Sequence, residues 1–227
     1  MKVIFPNLDC TISCTPDQIE TLQIENHPLY AKIASSFVSL KGEAAIEPYL
    51  LEDNNEKSLI ARSNLVVLAS PLILPFSDRT ILSALYKSLE ESLIEHDEIR
   101  SSLQTMESSI ESQVTNLSLP MEGNYSFGVQ WDLSHYLRAF SFKIDIDECG
   151  TLLDKCIAFM QMVADLLPDR VIVCIGFKQF FNKNELNSLI KQILFLKLKV
   201  LLIESNQQAD MITSQHITTI DQDFIVS

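Results

Sequence analysis

Two apolar runs flank a helix-like stretch in the last third of the chain. "RVIVCIG" at 170–176 is followed by "FKQFFNKNELNSLIKQILFLKLK" and then by "VLLIES", which ends on Glu204 and Ser205. Runs of Val, Ile and Leu without polar alternation read as strands buried on both faces, the habit of parallel sheets. Two parallel neighbours need a crossover between them, usually a helix. Asn182 followed three residues later by Glu185 is a capping-box signature for that helix, which the periodicity carries through Leu196. This unit makes the chain an α/β protein. It also raises a question of function, because the central strands of nucleotide-binding domains look the same.

The remainder fits around that unit. "KVIF", "TISC" and "TLQIE" read as short strands with turns at Pro6-Asn7 and Pro16-Asp17. "HPLYAKIASSFVSLKG" reads as a helix capped by Asn26, with Pro28 in its first turn and Gly42 at its end. "AIEPYLL" and "NLVVLAS" read as strands about the acidic loop "EDNNEK". After Asp78 the period becomes helical: Ile81, Leu82, Leu85, Leu89 and Leu93 share one face, and Ile99, Leu103, Met106, Ile110, Val114 and Leu117 another. Glu95-His96-Asp97 breaks the two, predicting a helical hairpin. "PMEGNYSFG" closes it, "WDLSHYLRAF" predicts a short helix, "FKID" a strand, and "TLLDKCIAFMQMVADLLP" a long helix ending near Pro168. "TTI" and "DFIV" are edge-strand candidates. The expected architecture is a mainly parallel sheet covered on both faces, with a head at 1–76 and 129–227 and an inserted helical leg at 77–128. At 227 residues the chain is long enough to bury such a core without staples.

The nucleotide reading fails on its loop chemistry. A phosphate cradle needs glycines for close backbone approach, a Lys, and Ser or Thr for magnesium. The sequence holds no GxxxxGK[ST] and no GxGxxG, and only Glu25, Asn26 and His27 join the early strand to its helix. Gly176 stands where an ATPase strand usually ends on an acid, and Glu204, at the end of the next strand, is one carboxylate without a loop to serve. Other catalytic patterns are equally bare. His135 lies three residues from Asp132 and beside Tyr136, with no nucleophile placed by a motif. Asp145, Asp147 and Glu148 offer hard oxygens, but not the glycine and terminal Glu of an EF-hand loop.

Charge and cysteine narrow the partners. A formal net charge of −13 argues against diffuse binding to nucleic acid or anionic lipid, but not against a local basic surface. The charges are unevenly spread: 87–125 holds eight acids and two bases, whereas 176–199 holds five lysines and one acid. Five cysteines, Cys10, Cys14, Cys149, Cys156 and Cys174, form no CxxC pair, as expected of small apolar residues in a reduced protein. No apolar run reaches the roughly 18 residues of a membrane span, and "MKVIFPNLDC" lacks a signal-peptide core. The expected compartment is the cytoplasm, with no membrane partner.

The order of segments resembles the fourth adaptation protein of type II-A CRISPR operons, the Csn-two family, in its short form. The resemblance rests on "TLQIENHPLYAKIASSF", on the hairpin about Asp97-Glu98-Ile99-Arg100, on "DLSHYLRAFSFKID" and "TLLDKCIAFMQMVADLL", and on "RVIVCIGFKQFFNKNELNSL" with "KVLLIES". It implies a degenerate P-loop-like α/β head carrying the helical leg, and a homotetrameric ring whose basic channel holds double-stranded DNA threaded from its ends. It also implies calcium binding, no nuclease or ATPase chemistry, no nucleotide, and a role in spacer acquisition for antiviral defence beside the CRISPR integrase pair and the guide nuclease.

On that resemblance the DNA-binding candidates are Lys178 and Lys183, which flank a strand end and a helix start, with Lys2, Lys32, Lys41 and Lys143 beside them. The chain departs from the family where the leg rejoins the head. The stretch there, "LPMEGNYSFGVQWD", carries only Glu122 and Asp132 as metal candidates, and aromatic Tyr125, Phe127 and Trp131 fill it instead. A weakened calcium site, a displaced one and none all fit this. Two rival readings stay open: a protein–protein adaptor of the acquisition complex that does not bind DNA itself, and an NTPase working through Glu204.

Overall fold

The computed structural model describes residues 1–127, 131–145, 150–205 and 215–227. The chain divides into two compact units, one of 1–75 with 146–227 and one of 76–145. The first holds β1 (Lys2–Phe5), β2 (Cys10–Ser13), β3 (Ile19–Ile24), α1 (His27–Ser39), β4 (Leu50–Glu52), α2 (Ala61–Asn64) and β5 (Leu65–Leu68). The second holds α3 (Arg79–Glu95), α4 (Asp97–Ser118) and α5 (Leu133–Ala139). The first resumes with α6 (Leu152–Leu166), β6 (Val171–Ile175), α7 (Lys183–Phe195), β7 (Lys199–Glu204) and β8 (Gln215–Ile220). No helix among the described residues is long and apolar enough to cross a membrane.

The main sheet has five strands in the order β5-β6-β7-β3-β8, and every neighbour pair is parallel. The apolar runs occupy its centre: all of β6 and all but the first residue of β7 are buried, as strands covered on both faces must be. Val171 pairs with Lys199 and Ile175 with Ile203, while Leu22 pairs with Ile203 and Gln23 with Glu204. Alternation then splits the sheet. Leu22, Ile24, Val171, Val173, Leu201 and Ile203 share one face and join Ile33 and Phe37 of α1 in the core, along with Val3, Phe5 and Ile12. Ile172, Cys174, Val200 and Leu202 share the other. There α6 approaches with buried Cys156, close enough for its thiol to affect that of Cys174.

Local chemistry sets the helix ends. Asn26 accepts from the Leu29 N–H at 3.0 Å to start α1, which stops one residue before Leu40, a left-handed cap at φ 53°. Thr151 and Asp154 make a capping box on α6. On α7, Asn182 accepts from the N–H groups of Asn184 and Glu185, both at 3.0 Å, and Glu185 returns a bond to the Asn182 N–H at 2.9 Å. Asn182→Ala leaves these donors to water, and should cost about 1 kcal/mol in a urea unfolding curve.

A second, three-stranded sheet of order β2-β1-β4 is antiparallel, an arrangement the loose alternation of the first 25 residues left open. Of "AIEPYLL", only the last two residues are strand, and β4 runs on to Glu52 of "EDNNEK". "FKID" is not a strand: Phe142 N–H returns to the Leu137 carbonyl at 2.8 Å and the Phe142 carbonyl accepts from Tyr86 Oη at 2.8 Å, so its backbone is spent locally. "TTI" belongs to a full six-residue strand, β8, which has β3 as its parallel partner, whereas "DFIV" contributes only a bridge from Val226 to Ile220.

In the second unit α3 packs against α4 and α5, and its buried members are Ile81 and Tyr86 with Leu137 of α5. No residue of α4 is buried. Its apolar stripe is largely open to solvent, from Ile99 (54%) through Met106, Ile110 and Val114 to Leu117 (74%).

Candidate functional site at the carboxyl edge of the sheet

The central strands of a parallel sheet end at one edge, where ligand crevices of α/β proteins usually form. Here β6 ends on Ile175, with Gly176 next, and β7 ends on Glu204. Glu204 is 6% exposed, and its Oε1 accepts from the Lys178 N–H at 3.0 Å. Burial pushes its carboxyl up to about 7, against the Lys178 N–H, the Lys178 charge and the Phe177 N–H, all of which favour the ionised form. Burial lowers the Lys178 ammonium, with the Glu204 charge opposing. Tyr30 of α1 faces the same carboxylate: burial first, then the Glu204 charge, raise its phenol. Gly176 sits at φ 64°, and a Cβ there would meet Tyr30 Oη and Gln179 Nε2, both at 3.2 Å. A side chain there would strain the backbone and crowd both neighbours, so glycine suits this corner.

The chemistry is a buried, proton-sensitive carboxylate that tethers a loop. That loop runs through a 3-10 turn at Lys178–Phe180 into α7. Phe177, 1% exposed, roots it from below. The β3–α1 link holds no glycine-rich cradle, since β3 passes to α1 through Glu25 and Asn26 alone.

Lys178 and Lys183 both lie on this loop, Lys178 half-buried and Lys183 exposed at the first position of α7. The other candidates lie on other elements. Lys32 is exposed on α1, which joins the core on the opposite sheet face from α6. Lys41 lies beyond the far end of α1, a helix about 20 Å long at 1.5 Å per residue. Lys2 is on β1 of the antiparallel sheet, paired with Ser13 and Glu52. Lys143 is exposed in the second unit. Tyr30 and Gln179 were not singled out by sequence reasoning, and only the clue of a carboxylate finishing a buried strand marked Glu204.

The two metal candidates belong to the second unit. Glu122 is exposed after α4. Asp132 caps α5, accepting from the His135 N–H at 2.7 Å, and its other oxygen meets His135 Nδ1. Those two bonds, the backbone one first, hold its carboxyl below the usual range. His135 therefore serves a helix start, with Tyr136 against Phe140 at 4.7 Å. Calcium takes about six to eight oxygens, more than two carboxylates supply, and no three His, Cys, Asp or Glu side chains converge among the described residues. Asp147 and Glu148 lie outside the described residues, as does Cys149. Cys10, Cys14, Cys156 and Cys174 are buried and free, and burial holds Cys14 up to about 12 and Cys156 to about 11.

Comparison with known proteins places this fold in a lineage. A family model described as CRISPR-associated protein (Cas_Csn2) matches residues 45–224. A CRISPR-associated protein Csn2 of Streptococcus agalactiae is 22% identical over 226 residues, covering 100% of this chain and 97% of that one.

Proposed function

We propose that this chain, which belongs to the Csn2 family of CRISPR-associated proteins, is a non-catalytic, ring-forming binder of double-stranded DNA ends that assists spacer acquisition. The observation that carries the reading is the family match, which runs from 45 through the helical unit to 224. The geometry supports it in two ways. Lys178 and Lys183 stand on one loop at the sheet's carboxyl edge, so their charge is concentrated in a chain of net charge −13. The uncovered apolar stripe of α4 suits burial against further copies in a homotetramer. In this reading the head is a degenerate P-loop-like domain whose short β3–α1 link leaves no phosphate loop, and the acquisition partners are the integrase pair and the guide nuclease. Any calcium would draw on Glu122 and Asp132 and complete its shell from backbone, water or a neighbouring copy.

Phosphate contacts by lysine release counterions, so binding is salt-sensitive and indifferent to sequence. Gel retardation at low salt should retain a linear duplex and not the same DNA as a closed circle. Lys178→Glu with Lys183→Glu should weaken retention at least tenfold and flatten the salt slope by about two contacts, roughly 0.9 each. Lanes with and without calcium test the ion. Retention of neither DNA would overturn this reading in favour of an adaptor, which the strong acidity and the exposed helical stripe favour as the second reading.

A further inference from the structure

We infer that Glu204 is a positioning residue whose buried carboxylate, by accepting the Lys178 N–H, holds the β6–α7 loop in the form that offers Lys178 and Lys183 to a phosphate backbone. The inference rests on the DNA reading above and adds to it the residue that sets the contact loop.

The sheet ladder ends where this anchor begins. Gly176 N–H still donates to the Ile203 carbonyl at 2.8 Å. The chain then turns, and the Lys178 N–H meets a side chain from the next strand, 26 residues away in sequence. Beyond it the turn closes on itself, with Phe180 N–H to the Phe177 carbonyl at 3.1 Å and Phe181 N–H to the Lys178 carbonyl at 3.4 Å. Phe177 fixes the loop's root by burial, and its N–H also favours the ionised Glu204 carboxyl. The Glu204 bond ties that turn to the sheet.

A neutral acceptor would satisfy the Lys178 and Phe177 N–H groups at less desolvation cost than a buried carboxylate. The carboxylate also faces the half-buried Lys178 ammonium, and Tyr30 and Gln179 stand beside Gly176. A costly group at a place where stability alone does not require it marks a site. Both effects act on the lysine that the functional reading needs, and neither uses Glu204 as a catalyst.

The test compares wild type, Glu204→Gln and Glu204→Leu. The readouts are the salt slope of binding to a short linear duplex and hydrogen exchange at the Lys178 amide. Gln keeps a carbonyl acceptor and should keep a protected amide and the wild-type slope. Leu should expose the amide, flatten the slope by one to two contacts of roughly 0.9 each, and weaken binding about tenfold. A Leu variant with the wild-type slope overturns the inference, and so does tighter binding by both variants, which would make Glu204 a mere repulsive charge. If Leu does not fold, wild type supplies the answer. The Lys178 amide shift should titrate near pH 7 and be flat in Glu204→Gln, the other titratable groups facing this carboxylate among the described residues being Tyr30, Cys174 and Lys178 itself. A flat wild type overturns the anchor. If wild type retains no duplex, the functional reading has failed first. The exchange data then decide only whether a fold anchor exists, and the positioning role is overturned.

Discussion

Phe37→Ala should cost about 3–5 kcal/mol of stability, the range for removing a fully buried aromatic ring. Phe37 is 0% exposed, at the third turn of α1. Its ring stacks on Tyr49 at 4.5 Å and meets the edge of Phe5 at 6.0 Å. The three rings come from α1, from the segment before β4 and from β1, so one cavity would loosen the antiparallel sheet and the helix together. Close packing allows little collapse into such a gap. Urea unfolding of the variant should show a much lower midpoint with an unchanged slope. A change below about 1 kcal/mol would mean that the first 50 residues pack otherwise. Phe37→Leu, which keeps much of the volume, should recover more than half of the loss.

The second large effect is a dependence of stability on pH near neutrality. The Glu204 carboxyl is raised in the fold to about 7 from an ordinary 4.5. Between those values the folded state holds a proton that the unfolded state has released, so stability falls as pH rises across the window. The stabilising contribution is complete below about 4.5 and is lost as pH passes 7. At about 1.4 kcal/mol for each pH unit the window is worth on the order of 3 kcal/mol. Glu204→Gln, which stays neutral throughout, should remove the slope and be the more stable protein at pH 8. Unfolding midpoints at pH 5, 6, 7 and 8 for both proteins test this. A wild-type profile as flat as that of the Gln variant would show that water reaches the carboxylate freely. Asp132 and Asp154 are held low by their cap bonds and act only in more acidic solution, outside this window.

How much was legible in the sequence differs by element. The β6–α7–β7 unit was plain because three signals agree: two unalternating apolar runs, a capping box and a helical period. The hairpin helices were plain for a similar reason, with Asp78 accepting from the Thr80 N–H at 2.7 Å where the period changes. β8 was under-read, because Gln215, His216, Thr218 and Thr219 make it look like a polar loop. It is a strand because β3 offers a free edge along six residues, a fact about the partner and not about its own side chains. "FKID" was over-read for the converse reason: a good strand composition finds no edge, and its carbonyl goes to Tyr86.

The sequence by itself determined the α/β class, the buried central strands, the helix starts and the absence of a phosphate-binding loop motif, because each depends on neighbours a few residues apart, whereas α1 ends at the left-handed cap Leu40 and not at Gly42. The segment order likewise pointed to the family by local pattern alone. Tertiary structure decided which strands are neighbours, that Phe5, Phe37 and Tyr49 share one core, and that Glu204 meets the Lys178 backbone. It also set Lys178 and Lys183 on one loop, where composition could only count lysines. Burial and proximity are properties of the folded sheet. A carboxylate at the end of an apolar run is an ordinary surface acid until the strands beside it close over it and push its proton affinity toward neutrality.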